Sequence, residues 1–462
     1  MIFTNYQSRN SDFEIDNGKK KLNRIILIGV IVIILISCGD RNEQKPKSDL
    51  EIKMNSVAEG YVKLVLEVGK YDPNFVDAYY GPKEWKPKDS DLSFDSTAYP
   101  ALISAADSLL YELELLGEYN ATELETLRYR YLYKQLLAVK TRIVILNGSV
   151  LPFDLESRAL YDVTPPEVSE ENFQEVLDEL EKILPGTGDI SERFVQFRKK
   201  FEIPKDKIRV VFEAAVNECK NRTMKYINLP AGENFKAEYV TNKPWGAYNW
   251  YKGNLFSVIQ IAVDFPVYIN SAVGLAAHEG YPGHHVYNIL LEQNLVKTKG
   301  WIEYTVYPLY SPQSLIAEGT AVVGEKLLFP KDERKKFEKE ILFPLAKLDT
   351  TDADSYYKAM ELHEKLKSSS ILAARKYLNG DWTKEETVAW LQKFQLRTKE
   401  RTEKFVAFIE TYRSYVVTYD MGERLILDYM ERNGGTEENL ARKWEIFYQL
   451  ISTPQTPSGL VD

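Results

Sequence analysis

His278-Glu279-Gly280-Tyr281-Pro282-Gly283-His284-His285 holds three of the four histidines in this 462-residue chain, and the fourth, His363, lies far downstream. Imidazole is the commonest protein metal ligand. A glutamate directly after a ligating histidine is where zinc hydrolases with an HExxH helix keep their general base. This run is not HExxH, in which two histidines four apart share one helical face. Here His278 and His284 are six apart, about 120° off that face on an ideal helix. His278 and His285 are seven apart, nearly on one face but separated by about 10 Å along the axis. Neither pair suits a straight helix. Pro282 removes a helical hydrogen bond and clashes with the preceding turn, and Gly283 tolerates unusual dihedrals. Together they permit a local bulge. With two residues looped out, His284 takes the place of the second histidine; with three, His285 does. The smaller distortion favours His284, and both remain candidates.

Just upstream, residues 235–241, 246–251 and 255–263 are short, aromatic and β-branched, with turn residues between them. They predict a small antiparallel sheet of two to four strands. After Pro266 a helical pattern runs almost to the end, and Thr383-Lys384-Glu385-Glu386 has the form of a capping box. Before residue 230, apolar residues at three- and four-residue spacing predict helices near 49–70, 99–117, 121–146, 169–184 and 204–227, punctuated by Pro165-Pro166, Pro185-Gly186 and Pro204. The expected fold is mainly α: a large helical body with one small antiparallel β-sheet before the expected active-site helix, an order that by analogy resembles that of thermolysin-like zinc peptidases. It divides into an N-terminal helical region (49–230) and a catalytic region (231–462).

Lys plus Arg is 59 and Asp plus Glu is 68, a net charge of −9. With no basic stripe to reverse that balance, nucleic acid is not an expected partner. The N-terminal stretch begins with Lys19-Lys20-Lys21-Leu22-Asn23-Arg24, followed by an apolar run over 25–37. That run is short of the roughly 20 apolar residues a spanning helix needs. Its end, Leu35-Ile36-Ser37-Cys38, resembles a bacterial lipobox. The resemblance implies a signal peptide over 1–37, a lipid on Cys38 and a polar tether over 38–48. The body would then sit at the cell envelope outside the cytoplasm, touching the membrane through its lipid alone. The one other cysteine is Cys219, so no disulfide is expected.

A catalytic zinc takes three protein ligands and leaves a position for water. Glu318 is the best third candidate, because a carboxylate in the apolar, small-residue run Leu315-Ile316-Ala317-Glu318-Gly319-Thr320-Ala321 is costly to bury unless a cation or hydrogen bonds satisfy it. Glu325, seven residues on and on the same face, is placed to hold a ligating histidine from behind. His363 sits in a charged sequence, Leu362-His363-Glu364-Lys365-Leu366-Lys367, and reads as part of a solvated helix.

His278-Glu279-x-x-Pro282-Gly283-His284-His285 followed by Glu318-Gly319-x-Ala321 resembles the bacterial family known as domain of unknown function 885, which is similar to gluzincin-like metallopeptidases. Its pattern is HExxPGHH with a downstream EGWA, and the likeness covers most of the chain beyond the tether. It implies one zinc per chain, His278, His284 and Glu318 as ligands, and Glu279 as general base for attack of water on a peptide bond. Thr320 stands where the family usually has tryptophan and Tyr287 where it often has glutamine, departures that bear on substrate rather than metal. His285, if it is not a ligand, is an adjacent donor for the developing oxyanion. The stretch 412–422 offers Arg413, Tyr415 and Tyr419, and a related Tyr-x-x-Gly in the family points to Tyr419. Trp245, Tyr248 and Trp250 lie in a segment suited to an edge strand that pairs with an extended peptide. Two other readings remain: a non-catalytic envelope lipoprotein that binds glycans or peptides, and a metallohydrolase of non-peptide amides or esters.

Overall fold

A computed structural model of the chain describes residues 48–88, 96–117, 122–243, 245–330 and 332–461. The expected signal peptide, Cys38 and all of the tether but Ser48 lie outside the described residues. Helices dominate, and their ends follow local chemistry. Ser48 accepts a hydrogen bond from the Glu51 N–H and opens Asp49–Val68. Thr122 caps Glu123–Leu146 in the same way, and Thr383 with Glu386 forms the expected reciprocal capping box on Lys384–Gln395. Amphipathic spacing decides which face is buried: in Glu170–Ile183 the inward residues are Phe173, Leu177 and Leu180, four and three apart. The shorter helices Phe153–Tyr161 and Ile190–Lys199 were not legible in the apolar spacing.

Among the described residues, five short strands interrupt the helices: β1 (Val76–Tyr79), β2 (Asn234–Val240), β3 (Ala247–Tyr251), β4 (Phe256–Ala262) and β5 (Val306–Pro308). β2, β3 and β4 are the three strands expected before the histidine run. β3 and β4 pair antiparallel, but β2 pairs with β4 in parallel. Parallel neighbours need a crossover between them, and β3 with its flanking turns is that crossover. The order is therefore β2-β4-β3, which leaves β3 at an edge. A second, two-stranded sheet joins β1 to β5 antiparallel. It had no sequence signal, since its strands are four and three residues long and more than 220 positions apart.

The residues before and after 230 belong to one body. Arg128 of Glu123–Leu146 makes a two-pronged pair with Glu303, and Arg142 of the same helix binds Asp72. Both pairs are buried. Tyr131 reaches Gln313 at the start of Pro312–Leu328 with a 2.8 Å hydrogen bond. Pro312–Leu328 in turn crosses Val417–Arg432 with backbone against backbone. A Cβ on Gly319 would lie 2.4 Å from the Gly422 carbonyl carbon, and one on Gly422 would lie 2.5 Å from the Leu315 oxygen. Only paired glycines allow that approach, and it brings Glu318 against the tyrosines of 415–419.

Candidate metal centre and its cavity

The histidine run first widens its helix and then breaks it. The α-helix Ile269–Leu275 passes into a π-helical turn over Ala276–Gly280, which carries His278 and Glu279. Such turns widen a helix and recur at functional sites. Residues 281–283 break the path, and a new helix starts at His284. The expected continuous helix with a looped-out pair is therefore replaced by two helices. Pro282 cannot continue the first, and Gly283 is required at the join: a Cβ there would fall 1.9 Å from the His278 carbonyl oxygen.

The break brings His278 and His284 together, with ring centroids 4.7 Å apart. Glu318 Oε2 is 3.1 Å from His278 Nε2 and 3.7 Å from His284 Nε2. Two ligands of one tetrahedral zinc, each about 2.1 Å from it, stand about 3.4 Å apart. The ligand atoms of all three residues lie within 4.8 Å of one another. Two imidazoles and a carboxylate at those separations fit a zinc ion. The remaining carboxylate oxygen of Glu318 accepts a 2.8 Å hydrogen bond from the buried Tyr415 hydroxyl.

Electrostatics around the triad favour positive charge. Burial alone would lower the His278 pKa, but the Glu318 carboxylate, supported by Glu279 and Glu325, lifts it to about 9. Burial would raise Glu318, yet His284 and His278 hold it well below the ordinary carboxylate range. Glu279 is buried and shifted upward by desolvation, with His278 and His284 pulling the other way. Asp77, on β1, rises to about 7 for the same reason, and the charges of Glu318 and Glu279 add to the rise.

His278, Glu279, His284, Glu318 and Asp77 all line one cavity of about 1080 Å³. Trp245, Tyr248, Trp250 and Tyr419 line it as well. All five residues of β3 reach it. Successive side chains of a strand point to opposite faces, so the cavity runs along the edge of β3 rather than across one face. Asn249, within that strand, donates a 2.6 Å hydrogen bond to the backbone carbonyl of Glu279 and ties the edge strand to the π-turn.

Three expected roles do not survive the geometry. His285 is fully buried and turned away from the cavity. Its Nδ1 is 2.8 Å from Ser257 Oγ and its Nε2 is 2.9 Å from Glu233 Oε2, so both nitrogens are spent. His285 stands one helical step, about 100°, from His284, and that step carries its ring to Ser257 and Glu233 on the far side of the helix from the cavity. Arg413 pairs with the buried Glu156 at 2.7 Å and stays outside the cavity lining. Glu325 is engaged by Arg334, which also binds Glu338. His363 is half-buried on the cavity wall rather than on an open helix face: it stacks on Phe194 with centroids 4.8 Å apart and reaches the Gln395 carbonyl at 3.1 Å, and burial lowers its pKa to about 4.

Asp77 and Tyr307, which also lines the cavity, carried no sequence signal. Tyr415 stood in the tyrosine-rich stretch already singled out, and a buried carboxylate in need of a donor was the available clue.

Among the described residues no helix is long and apolar enough to cross a membrane. No family model matches the chain, and no curated protein matches it. A solved structure of a candidate lipoprotein from Colwellia psychrerythraea matches 91% of this chain and 76% of its own, at 13% identity and a TM-score of 0.48. A likeness that loose identifies neither a family nor a function.

Proposed function

We propose that the chain is a zinc-dependent hydrolase that cleaves peptide bonds, held at the cell envelope by a lipid on Cys38. The observation that carries the reading is the placing of two imidazoles and one buried carboxylate within 4.8 Å of one another, in a cavity that follows a free strand edge. A zinc held by His278, His284 and Glu318 would supply Lewis-acid polarisation and a water whose pKa is brought to about 7. Glu279 stands beside the triad with its pKa raised by burial, which suits a base that takes a proton from water and passes it to a leaving amine. The open edge of β3 offers backbone groups to an extended peptide, with Trp245, Tyr248 and Trp250 beside it. Since both nitrogens of His285 are engaged, Tyr419 is the better donor toward a developing oxyanion. The lipobox-like end at Cys38 supports the envelope location.

Metal analysis of the purified protein tests this first. We expect one zinc per chain, lost in His278→Ala and in Glu318→Gln. Glu279→Gln should keep the zinc and lose about 10²–10⁴ in kcat. Protein without stoichiometric metal, or full turnover by Glu279→Gln, refutes the reading. A peptide-library digest that returns no cleavage, with zinc present, would redirect it to non-peptide amides or esters.

A further inference from the structure

Another stretch of the cavity wall carries charge of the opposite sign. Arg198, Arg397 and Arg401 all line it. Within the group, Arg401 acts on Arg198 as a like charge, and both act on Arg397. Among the described residues no carboxylate forms an ion pair with any of the three. Lysines of the same wall differ: Lys367 is paired with Glu364 and Glu423, and Lys404 with Glu400. Arg198 has a hydrogen bond with the Tyr356 hydroxyl, and the group otherwise rests on rings. Arg198 lies 4.0 Å from the Tyr268 centroid, and Arg397 lies 4.2 Å from that of Phe405.

Two further facts argue against a purely structural role. The Nε of Arg198 is buried with no hydrogen-bond partner. Arg401 occupies the first turn of Lys399–Tyr412, where the helix dipole is already positive and a cation is disfavoured. Burial and the two neighbouring guanidiniums bring even Arg397 down to about 10. Strain of this kind persists where function retains it. Guanidinium forks match carboxylates in geometry as well as charge.

We infer that Arg198, Arg397 and Arg401 form a carboxylate subsite that receives the free C-terminus of a short peptide substrate, an assignment that rests on the hydrolase reading above. The cavity's 1080 Å³ is close to the range that encloses drug-sized ligands, so it holds only a few residues. The terminal carboxylate is the one anionic group that every short peptide carries, whatever its side chains.

The test compares tripeptides that differ only in a free or amidated C-terminus, with and without an internal glutamate. Binding is measured by calorimetry on full-length Glu279→Gln protein, alone and combined with Arg397→Gln, Arg401→Gln or Arg397→Lys. Turnover is not needed, so the subsite can stand or fall apart from the hydrolase reading. Amidation should weaken binding about ten- to a hundredfold in the Glu279→Gln protein. That discrimination should shrink severalfold in the two glutamine variants and recover in part with lysine. Arg397→Gln should melt no lower than its parent, because it removes one of three repelling charges. Equal binding of acid and amide peptides overturns the proposal, as does binding of none of the peptides. A preference that follows the internal glutamate alone also overturns it, and so does a fall in Tm for Arg397→Gln.

Discussion

The two imidazole–carboxylate clusters on either side of the His284–Leu291 helix start use the same groups to opposite ends. Behind the cavity, Glu233 takes a hydrogen bond from Tyr281 and an ion pair from Lys220, and it meets His285, whose other nitrogen meets Ser257. Each of those polar groups has its partner inside the protein. Facing the cavity, His278 and His284 share one oxygen of Glu318, with Glu279 and Asp77 close by. There the carboxylates outnumber the protein cations that could serve them. The difference is what the proposed metal site rests on: a completed network fixes a loop, and an incomplete one with converging ligand atoms is suited to a cation from outside.

Replacing a histidine on each side should break the two clusters differently. On the proposed function, His284→Ala removes a zinc ligand and should lose stoichiometric zinc and most activity, about 10³-fold or more, with the melting temperature of the metal-free protein nearly unchanged. His285→Ala should leave metal stoichiometry intact at first but cost about 2–4 kcal/mol of stability, because it opens a buried cavity and strands Glu233 and Ser257. Zinc content and urea unfolding on the same preparations decide between them. Zinc loss in His285→Ala at full stability would reverse the assignment.

That assignment was half legible. The spacing of the histidines together with Pro282 and Gly283 pointed to His284 first, and Glu318 stood out because an apolar helix face rarely carries an unpaired carboxylate. Nothing local separated His285 from a donor role, since its partners come from β4 and from Glu233, 28 and 52 positions away. Asp77 was invisible for a like reason: it reaches the cavity on a four-residue strand held in place by β5. The three strands ahead of the run were legible from their aromatic, β-branched texture. The parallel pairing of β2 with β4 was not, because strand direction follows from the crossover and not from composition. Arg413 failed as a site residue because its partner, Glu156, comes from a helix without clear periodicity.

The two clusters should also part company in acid. Glu233 is buried, which would raise its pKa, but hydrogen bonds from His285, Lys220 and Tyr281 bring it down from 4.5 to about 2. A depressed carboxylate contributes its stability fully above the unfolded value, here about 4.5, and loses it as pH falls toward 2. The limit is about 3 kcal/mol, and the partly exposed Lys220 brings the expected figure to about 2. Urea unfolding of wild type and Glu233→Gln between pH 6 and the most acidic pH at which both still fold measures it. The wild type should lose more stability over that interval than the variant, and parallel curves would remove Glu233 from the account.

The finest distinction lies within the cavity cluster, at Tyr415. Its hydroxyl donates to one oxygen of Glu318 while the other oxygen faces both histidines. A ligand carboxylate held that way loses little freedom when a metal binds, and removing such outer partners typically costs about 10- to 100-fold in metal affinity. Tyr415→Phe keeps the ring and its edge contact with Tyr419, at a centroid distance of 5.9 Å, so stability should change by no more than about 1–2 kcal/mol. Zinc affinity by chelator competition should fall about tenfold. Tyr419→Phe is the contrasting variant: its hydroxyl meets Tyr415 rather than Glu318, so zinc affinity should fall less than in Tyr415→Phe while kcat falls. If Tyr415→Phe binds zinc as tightly as the wild type, Glu318 is positioned by its helix crossing at Gly319 and Gly422 alone, and the tyrosine belongs to the scaffold with His285.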